Sequence, residues 1–276
     1  MAESKGRGSR RRGSLIAVEP LRITVAGSSC SVPRIDRACS AYLIEDAGFA
    51  FSLDFGTGAF ANMRRYADYD RLDAVVISHM HADHFLDLIP LRYAVRYGSK
   101  RRQTRLPVWM PPGGIAMLRS MTSVFANEGN GDFLDEAFEL KEFDPERTLP
   151  IGDGRLRFAP TTHFITSFAI RYERNGSSLT YSADTAPDQR VVALARETNL
   201  FLCEATLLAD EKEHGGIRGH SSPKEAGQMA ADAGVERLIL THYSQDASPG
   251  DLVDDAGRIY KGEISVADDH KILTVG

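Results

Sequence analysis

Apolar residues in this chain gather in short runs rich in Val, Ile, Leu and Phe, and Gly, Pro, Asn and Asp punctuate the gaps between them. That is the pattern of buried strands joined by turns. It predicts strands at 21–27, 40–46, 49–55, 72–78, 106–110, 156–163, 167–173, 178–184, 201–205 and 237–243. Between them, helical spacing of apolar positions predicts helices at 58–67, 84–97, 113–126, 187–198 and 222–233. Pro90 interrupts the second of these, which should kink there or form two short helices. Strands alternating with helices give an α/β chain of sheets covered by helices. The stretch 127–150 is acidic, turn-rich and dotted with aromatics. It reads as a surface connection, with a mobile flap as the alternative.

Composition refines this picture. With 276 residues, 42% hydrophobic and 26% charged, the chain can bury one sizeable core. We expect a single domain over 21–276, preceded by a disordered basic tail at 1–20 whose alternative role is contact with nucleic acid or an acidic surface. A net charge of −5 argues against a nucleic-acid footprint over the whole surface. No apolar run reaches the length of a membrane span, and no signal-peptide core follows the basic N-terminus, so the expected compartment is the cytoplasm. The three cysteines, Cys30, Cys39 and Cys203, have no CxxC spacing and should be reduced, with Cys203 a small core residue. The basic tract 92–105 could touch phosphate or be the solvated side of a helix.

The chemistry concentrates in "VVISHMHADHF", 75–85. Here His79, His81, Asp83 and His84 stand within six positions directly after a strand-like run, although the chain holds eight histidines in all. Neutral imidazoles beside a carboxylate suit Zn²⁺ or Mn²⁺ and leave positions open for water. His163, Asp184 and His242 each fall at the end of a predicted strand, where loops converge and further ligands would be supplied. His214 and His270 lack such a setting and are assigned to the surface.

His79-Met80-His81-Ala82-Asp83-His84 resembles the HxHxDH signature of the metallo-β-lactamase fold superfamily. The resemblance runs from about Leu21 onward and takes in "DFGTG" (54–58), His163, "SADT" (182–185) and His242. It implies a four-layer αββα sandwich and a dinuclear metal site. His79, His81 and His163 would hold one ion, and Asp83, His84 and His242 the other, with Asp184 bridging them. Zn²⁺ is the expected ion and Mn²⁺ the alternative.

"LCEATL" (202–207) and "RGHSSPKEAG" (218–227) are similar to the ribonuclease Z branch and the related cyclic-nucleotide phosphodiesterases. In that branch the residue matching His220 is catalytic and is not a ligand. "GHSSP" also reads as a helix start, with Ser221 or Ser222 as cap and Pro223 in the first turn, and the two roles are compatible. Glu204, in an apolar strand, needs a partner and would orient His220 or a ligand histidine. Ribonuclease Z carries a long arm between the residues matching His163 and Asp184. Here twenty residues, 164–183, separate them, and two predicted strands use most of those.

The resemblance therefore implies a dinuclear hydrolase that cleaves a small phosphodiester, such as a 3′,5′-cyclic nucleotide, by metal-activated hydroxide. Asp83 and His220, with Glu204 behind His220, would be the catalytic groups, and a homodimer is expected. Cleavage of transfer RNA or other RNA remains an alternative, as does ester or thioester hydrolysis on the same scaffold.

Overall fold

A computed structural model describes residues 20–100, 102–124, 133–208, 213 and 218–276. The basic tail up to residue 19 lies outside these, as do His214 and most of the loop before Arg218.

The first half of the chain contributes strands β1 (Leu21–Gly27), β2 (Ala41–Asp46) and β3 (Phe49–Leu53), helix α1 (Ala59–Met63), strand β4 (Ala74–Val76), helices α2 (Ala82–Phe85) and α3 (Leu88–Tyr97), strand β5 (Leu106–Met110), helix α4 (Gly114–Thr122) and strand β6 (Phe138–Glu142). The second half contributes β7 (Leu149–Ile151), β8 (Gly154–Pro160), β9 (Phe168–Arg174), β10 (Ser177–Tyr181), α5 (Gln189–Ala195), β11 (Leu200–Glu204), α6 (Pro223–Ala233), β12 (Arg237–Thr241), α7 (Pro249–Gly257), β13 (Glu263–Val266) and β14 (Ile272–Val275).

Two seven-stranded sheets result, ordered β14-β1-β2-β3-β4-β5-β6 and β13-β12-β11-β10-β9-β8-β7. Alternate residues of one strand enter different cores. Tyr42 and Ile44 of β2 point between the sheets while Leu43 points under the helices, and Leu200 and Leu202 of β11 divide from Phe201 and Cys203 in the same way. Strands buried on both faces explain the continuous apolar runs of the sequence. Helices α1–α4 cover one sheet and α5–α7 the other, so the layers run αββα, as expected. Cys203 is fully buried in the outer core of the second sheet.

The strands β3, β4 and β5 run parallel, as do β10, β11 and β12. Their carboxyl ends lie where open α/β sheets commonly bind ligands. Several end sooner than the apolar pattern predicts. The stretch 72–78 forms a strand only at 74–76, and 178–184 and 237–243 stop at Tyr181 and Thr241. Asp54, Ala183 and His242 adopt left-handed φ of 56°, 51° and 49°, which a continuing strand cannot accommodate. His79, His163, Asp184 and His242 stand in loops just beyond the strands rather than at their last residues.

The predicted helix 84–97 is two helices, broken at Leu86–Asp87. Pro90 lies in the first turn of α3, where its missing N–H leaves no bond unmade. The stretch 127–150 is not a flap over its described part. Phe138 and Phe143 are buried, and β6 pairs in parallel with β5 at the sheet edge. Residues 125–132 lie outside the described residues.

Candidate metal centre

The loop after β4 delivers His79 and His81, and the single turn of α2 delivers Asp83 and His84. A second loop, "DFGTG" after β3, clamps this turn: Phe55 N–H donates to the His84 carbonyl at 2.7 Å. Gly56 permits the contact, since a Cβ there would lie 2.0 Å from the Asp83 carbonyl oxygen.

All seven residues expected as ligands meet at this edge in two clusters that share Asp184. His79, His81, His163 and Asp184 form one, and Asp83, His84, His242 and Asp184 the other, with ligand atoms in each within 4.8 Å of one another. Asp184 Oδ2 lies 3.6 Å from His79 Nε2, 3.9 Å from His163 Nε2, and 3.4 Å from both His84 Nε2 and His242 Nε2. His163 Nε2 is 2.9 Å from His81 Nδ1, and His242 Nε2 is 3.3 Å from Asp83 Oδ2.

His81 turns its Nδ1 toward the cluster, whereas the other four rings are held at Nδ1 by groups that leave Nε2 aimed inward. His84 Nδ1 donates to Asp54 Oδ2 at 2.7 Å. Ser78 Oγ donates to the same oxygen at 2.8 Å and so accepts from His79 Nδ1 at 3.0 Å. His163 Nδ1 donates to the Gly219 carbonyl at 2.8 Å. Thr206 Oγ1 accepts from His242 Nδ1 at 2.8 Å and donates to Glu204 Oε2 at 2.7 Å. Such partners set tautomer and ring orientation for metal ligation.

The donor chemistry fits a divalent cation. His79 Nε2 and Asp184 Oδ1 are buried without a hydrogen-bond partner, which is costly unless an ion takes that place. Burial, reinforced by the neighbouring His84, pushes His79 well below the ordinary histidine range, and burial also lowers His81 and His163, so these rings are neutral. For His84, burial is outweighed by the Asp184 and Asp54 carboxylates, which hold its pKa well above the ordinary value. At that nitrogen a cation and a proton compete. Asp184 titrates well below the usual carboxylate range because His242, His84 and His79 outweigh its burial.

His220 stands beside the two clusters. Its Nδ1 donates to Glu204 Oε1 at 3.0 Å and lies 4.0 Å from Asp184 Oδ2. Burial alone would lower its pKa, but Glu204 raises it to about 9. Glu204 is fully buried and also accepts from the backbone N–H groups of Thr185, Thr206 and Ser221. The helix start predicted from "GHSSP" is present: Ser222 and Glu225 form a reciprocal cap on α6, with Pro223 as its first residue. His270 is partly buried and its ring lies against Tyr66, away from the clusters.

Four supporting residues carried no role in the sequence reading: Asp54, Ser78, Tyr181 and Thr206. Asp54 accepts from Ser78 N–H, Ser78 Oγ, Tyr181 Oη and His84 Nδ1. The available signal was a carboxylate opening a Gly-rich loop directly after an apolar strand. The basic tract proves to be largely internal bracing. Arg92 and Arg96 bond Glu136, Lys100 pairs with Asp68, and Arg102 caps the carbonyls of Tyr69, Asp70 and Leu72.

An αββα sandwich with paired His/Asp clusters at one edge of its sheets defines a metallo-hydrolase scaffold. The chain belongs to the beta-lactamase superfamily, whose domain profile matches residues 43–243. It is 33% identical to Rv1339 of Mycobacterium tuberculosis over 256 residues, covering 91% of this chain and 90% of that protein. It is 26% identical to the probable metallo-hydrolase YhfI of Bacillus subtilis over 249 residues, covering 90% of this chain and 97% of the relative. The crystal structure of YhfI superposes with a TM-score of 0.82, covering 92% of this chain and 99% of the other. Ribonuclease Z of Haloferax volcanii is 28% identical over 303 aligned positions, covering 92% of this chain and 95% of that protein.

Proposed function

We propose that the protein is a dinuclear phosphodiesterase acting on a small substrate, of which a 3′,5′-cyclic nucleotide is the leading example. The observation that carries this reading is the placement of His220, held by Glu204 and 4.0 Å from the carboxylate that joins the two ligand clusters. His79, His81 and His163 would hold one ion, Asp83, His84 and His242 the other, and Asp184 both, with Zn²⁺ or Mn²⁺ suited to the nitrogen and oxygen donors. When bound, such ions supply acidified water near neutral pH and neutralise phosphoryl charge.

The protein's own groups then manage protons. As the water oxygen bonds to phosphorus, the Asp83 carboxylate accepts its proton. As the bond from phosphorus to the leaving oxygen breaks, His220 delivers a proton to that oxygen, a contribution worth about a hundredfold to ten-thousandfold. Glu204 keeps His220 protonated near neutral pH and aims it, because Nδ1 is committed to the carboxylate and Nε2 is left for the substrate.

The segment between His163 and Asp184 supports the choice of a small substrate. Strands β9 and β10 are joined by Asn175–Gly176 alone, both with positive φ, which is a two-residue hairpin turn with no room for an RNA-gripping arm. The alignment with the haloarchaeal ribonuclease Z runs over more positions than this chain has residues, so that relative carries segments missing here. Its name supports phosphodiester chemistry, and the missing segments favour a smaller substrate. The three cysteines, all buried and unpaired, are consistent with a reducing compartment such as the cytoplasm.

The test is a turnover panel on metal-loaded protein: cyclic nucleotides, precursor transfer RNA and a thioester, together with elemental analysis. Two ions per chain and turnover of cyclic nucleotides are expected. Efficient site-specific cleavage of transfer RNA would reverse the choice of substrate, and thioester turnover alone would replace the reaction class.

A further inference from the structure

Phe164 follows His163 directly, and the residue is 48% exposed at the border of the site. The ring is held rather than loose. A Cβ added at Gly219 would lie 2.4 Å from it, so the ring rests against bare glycine backbone. Its centroid is 5.2 Å from that of His163 and 5.8 Å from that of His220, the latter edge-on at 67°. The chain on either side is pinned: before the ring, the Ala186 N–H donates to the Thr162 carbonyl and His163 Nδ1 to the Gly219 carbonyl, and after it the Thr161 N–H donates to the Ser167 carbonyl. Among the described residues the exposed aromatics are Phe164 and the α3 residues Tyr93 and Tyr97. Of these, Phe164 alone has ring contacts with histidines of the site.

An exposed, immobilised phenyl ring costs apolar surface in water, and a planar ligand would recover it. We infer that Phe164 is a stacking platform for the base of a nucleotide substrate, and so a specificity-determining residue. This rests on the phosphodiesterase reading above. His220 protonates the leaving oxygen, so the organic group on that oxygen must lie on the His220 side, where the phenyl ring stands. Every base presents a π-face, so the platform favours nucleotides as a class and discriminates weakly among bases. Purines, with the larger faces, should bind best. A substrate lacking an aromatic base would forgo roughly tenfold to a hundredfold in affinity.

The test uses the metal-loaded full chain and its Phe164→Ala and Phe164→Trp variants, titrated calorimetrically with adenosine 5′-monophosphate and with ribose 5-phosphate. Wild type should bind the nucleotide at least roughly tenfold more tightly than the sugar phosphate. Phe164→Ala should erase that difference while sugar phosphate affinity and metal content stay unchanged, and Phe164→Trp should keep it. KM for adenosine 3′,5′-cyclic phosphate should rise in Phe164→Ala with kcat little altered. Equal affinities in wild type, or an alanine variant that keeps its preference while cyclic nucleotide is turned over, overturn the platform and leave the phosphodiesterase standing. A variant that loses metal or sugar phosphate affinity as well makes Phe164 a mere support for His163. Wild type that binds the nucleotide preferentially yet hydrolyses no phosphodiester overturns the reaction and not the platform.

Discussion

The two ligand clusters share Asp184 but are built differently. In the first, His81 is partly exposed while the His163 ring is buried, and the group directly behind each braced ring is neutral: the Gly219 carbonyl behind His163, and behind His79 the Ser78 hydroxyl, itself hydrogen-bonded to Asp54. In the second, Asp83, His84 and His242 are all buried. His84 is backed directly by the Asp54 carboxylate, and His242 leads through Thr206 to the Glu204 carboxylate. A carboxylate behind an imidazole raises its basicity and its hold on a cation. The second cluster should therefore retain its ion longer against a chelator, while the first, nearer solvent, exchanges first.

The largest effect should come from removing what the clusters share. Asp184→Asn withdraws the charge that lies within 4 Å of an imidazole nitrogen on each of four ligand histidines. Both ions should be lost, and turnover should fall by at least about 10⁴-fold, since each ion stabilises transition-state charge by several kcal/mol. His163→Ala and His242→Ala sharpen the contrast, each expected to cost one ion, from the first and second cluster respectively. Elemental analysis after gel filtration reads all three. An Asp184→Asn protein that still holds two ions would mean the clusters are independent.

Next in size is His220→Ala. His220 donates to Glu204 and belongs to neither of the clusters that share Asp184. Both ions should stay while kcat falls by roughly two to four orders of magnitude. The loss should be severe for a ribose-type leaving alcohol and mild for a nitrophenolate, which departs without a proton. Equal slowing of both substrates, or loss of an ion, would remove His220 from the role of acid.

A smaller difference should separate Asp54→Asn from Ser78→Ala. The first removes the charge directly behind His84 and, at one remove through Ser78, behind His79, so it should lower metal affinity by roughly 10–100-fold, chiefly at the second cluster. The second removes the hydroxyl that links His79 to Asp54 and should cost less, at the first cluster. Competition against a chromophoric chelator gives both values, and a larger effect for Ser78→Ala would invert the comparison.

How far the sequence exposes this arrangement follows from how each residue works. The HxHxDH run, His163, Asp184 and His242 are visible because chemistry needs those residue types close to strand ends. Asp54, Ser78 and Thr206 act through another side chain, and an aspartate, serine or threonine near a turn has many ordinary uses. The fold divides similarly. Strands buried on both faces announce themselves, whereas β6, β7, β13 and β14 are short pieces at or next to the sheet edges with one well-buried face or less. Helix α7 buries only Leu252 and Ala256 and carries three aspartates in nine residues, too sparse an apolar stripe to read.

The smallest expected effect concerns pH and tests the carboxylate that serves both His242 and His220. In the proposed mechanism His220 must carry a proton to act as an acid, so turnover should be lost as pH rises through its pKa. Against burial, which alone would lower it, Glu204 lifts that pKa to about 9, which should keep the alkaline decline of kcat high on the pH scale. Glu204→Gln retains a hydrogen-bond acceptor for His220 but removes the negative charge, so His220 should lose its proton earlier as pH rises. The alkaline limb should then move to lower pH, with kcat at pH 6 far less affected than kcat at pH 9. Because Glu204 also supports His242 through Thr206, the profile should be taken at saturating metal, which separates a shifted limb from a depleted site. A limb that stays in place in Glu204→Gln, with both ions bound, would assign the decline to a group other than His220 and leave Glu204 as a brace for the second cluster alone.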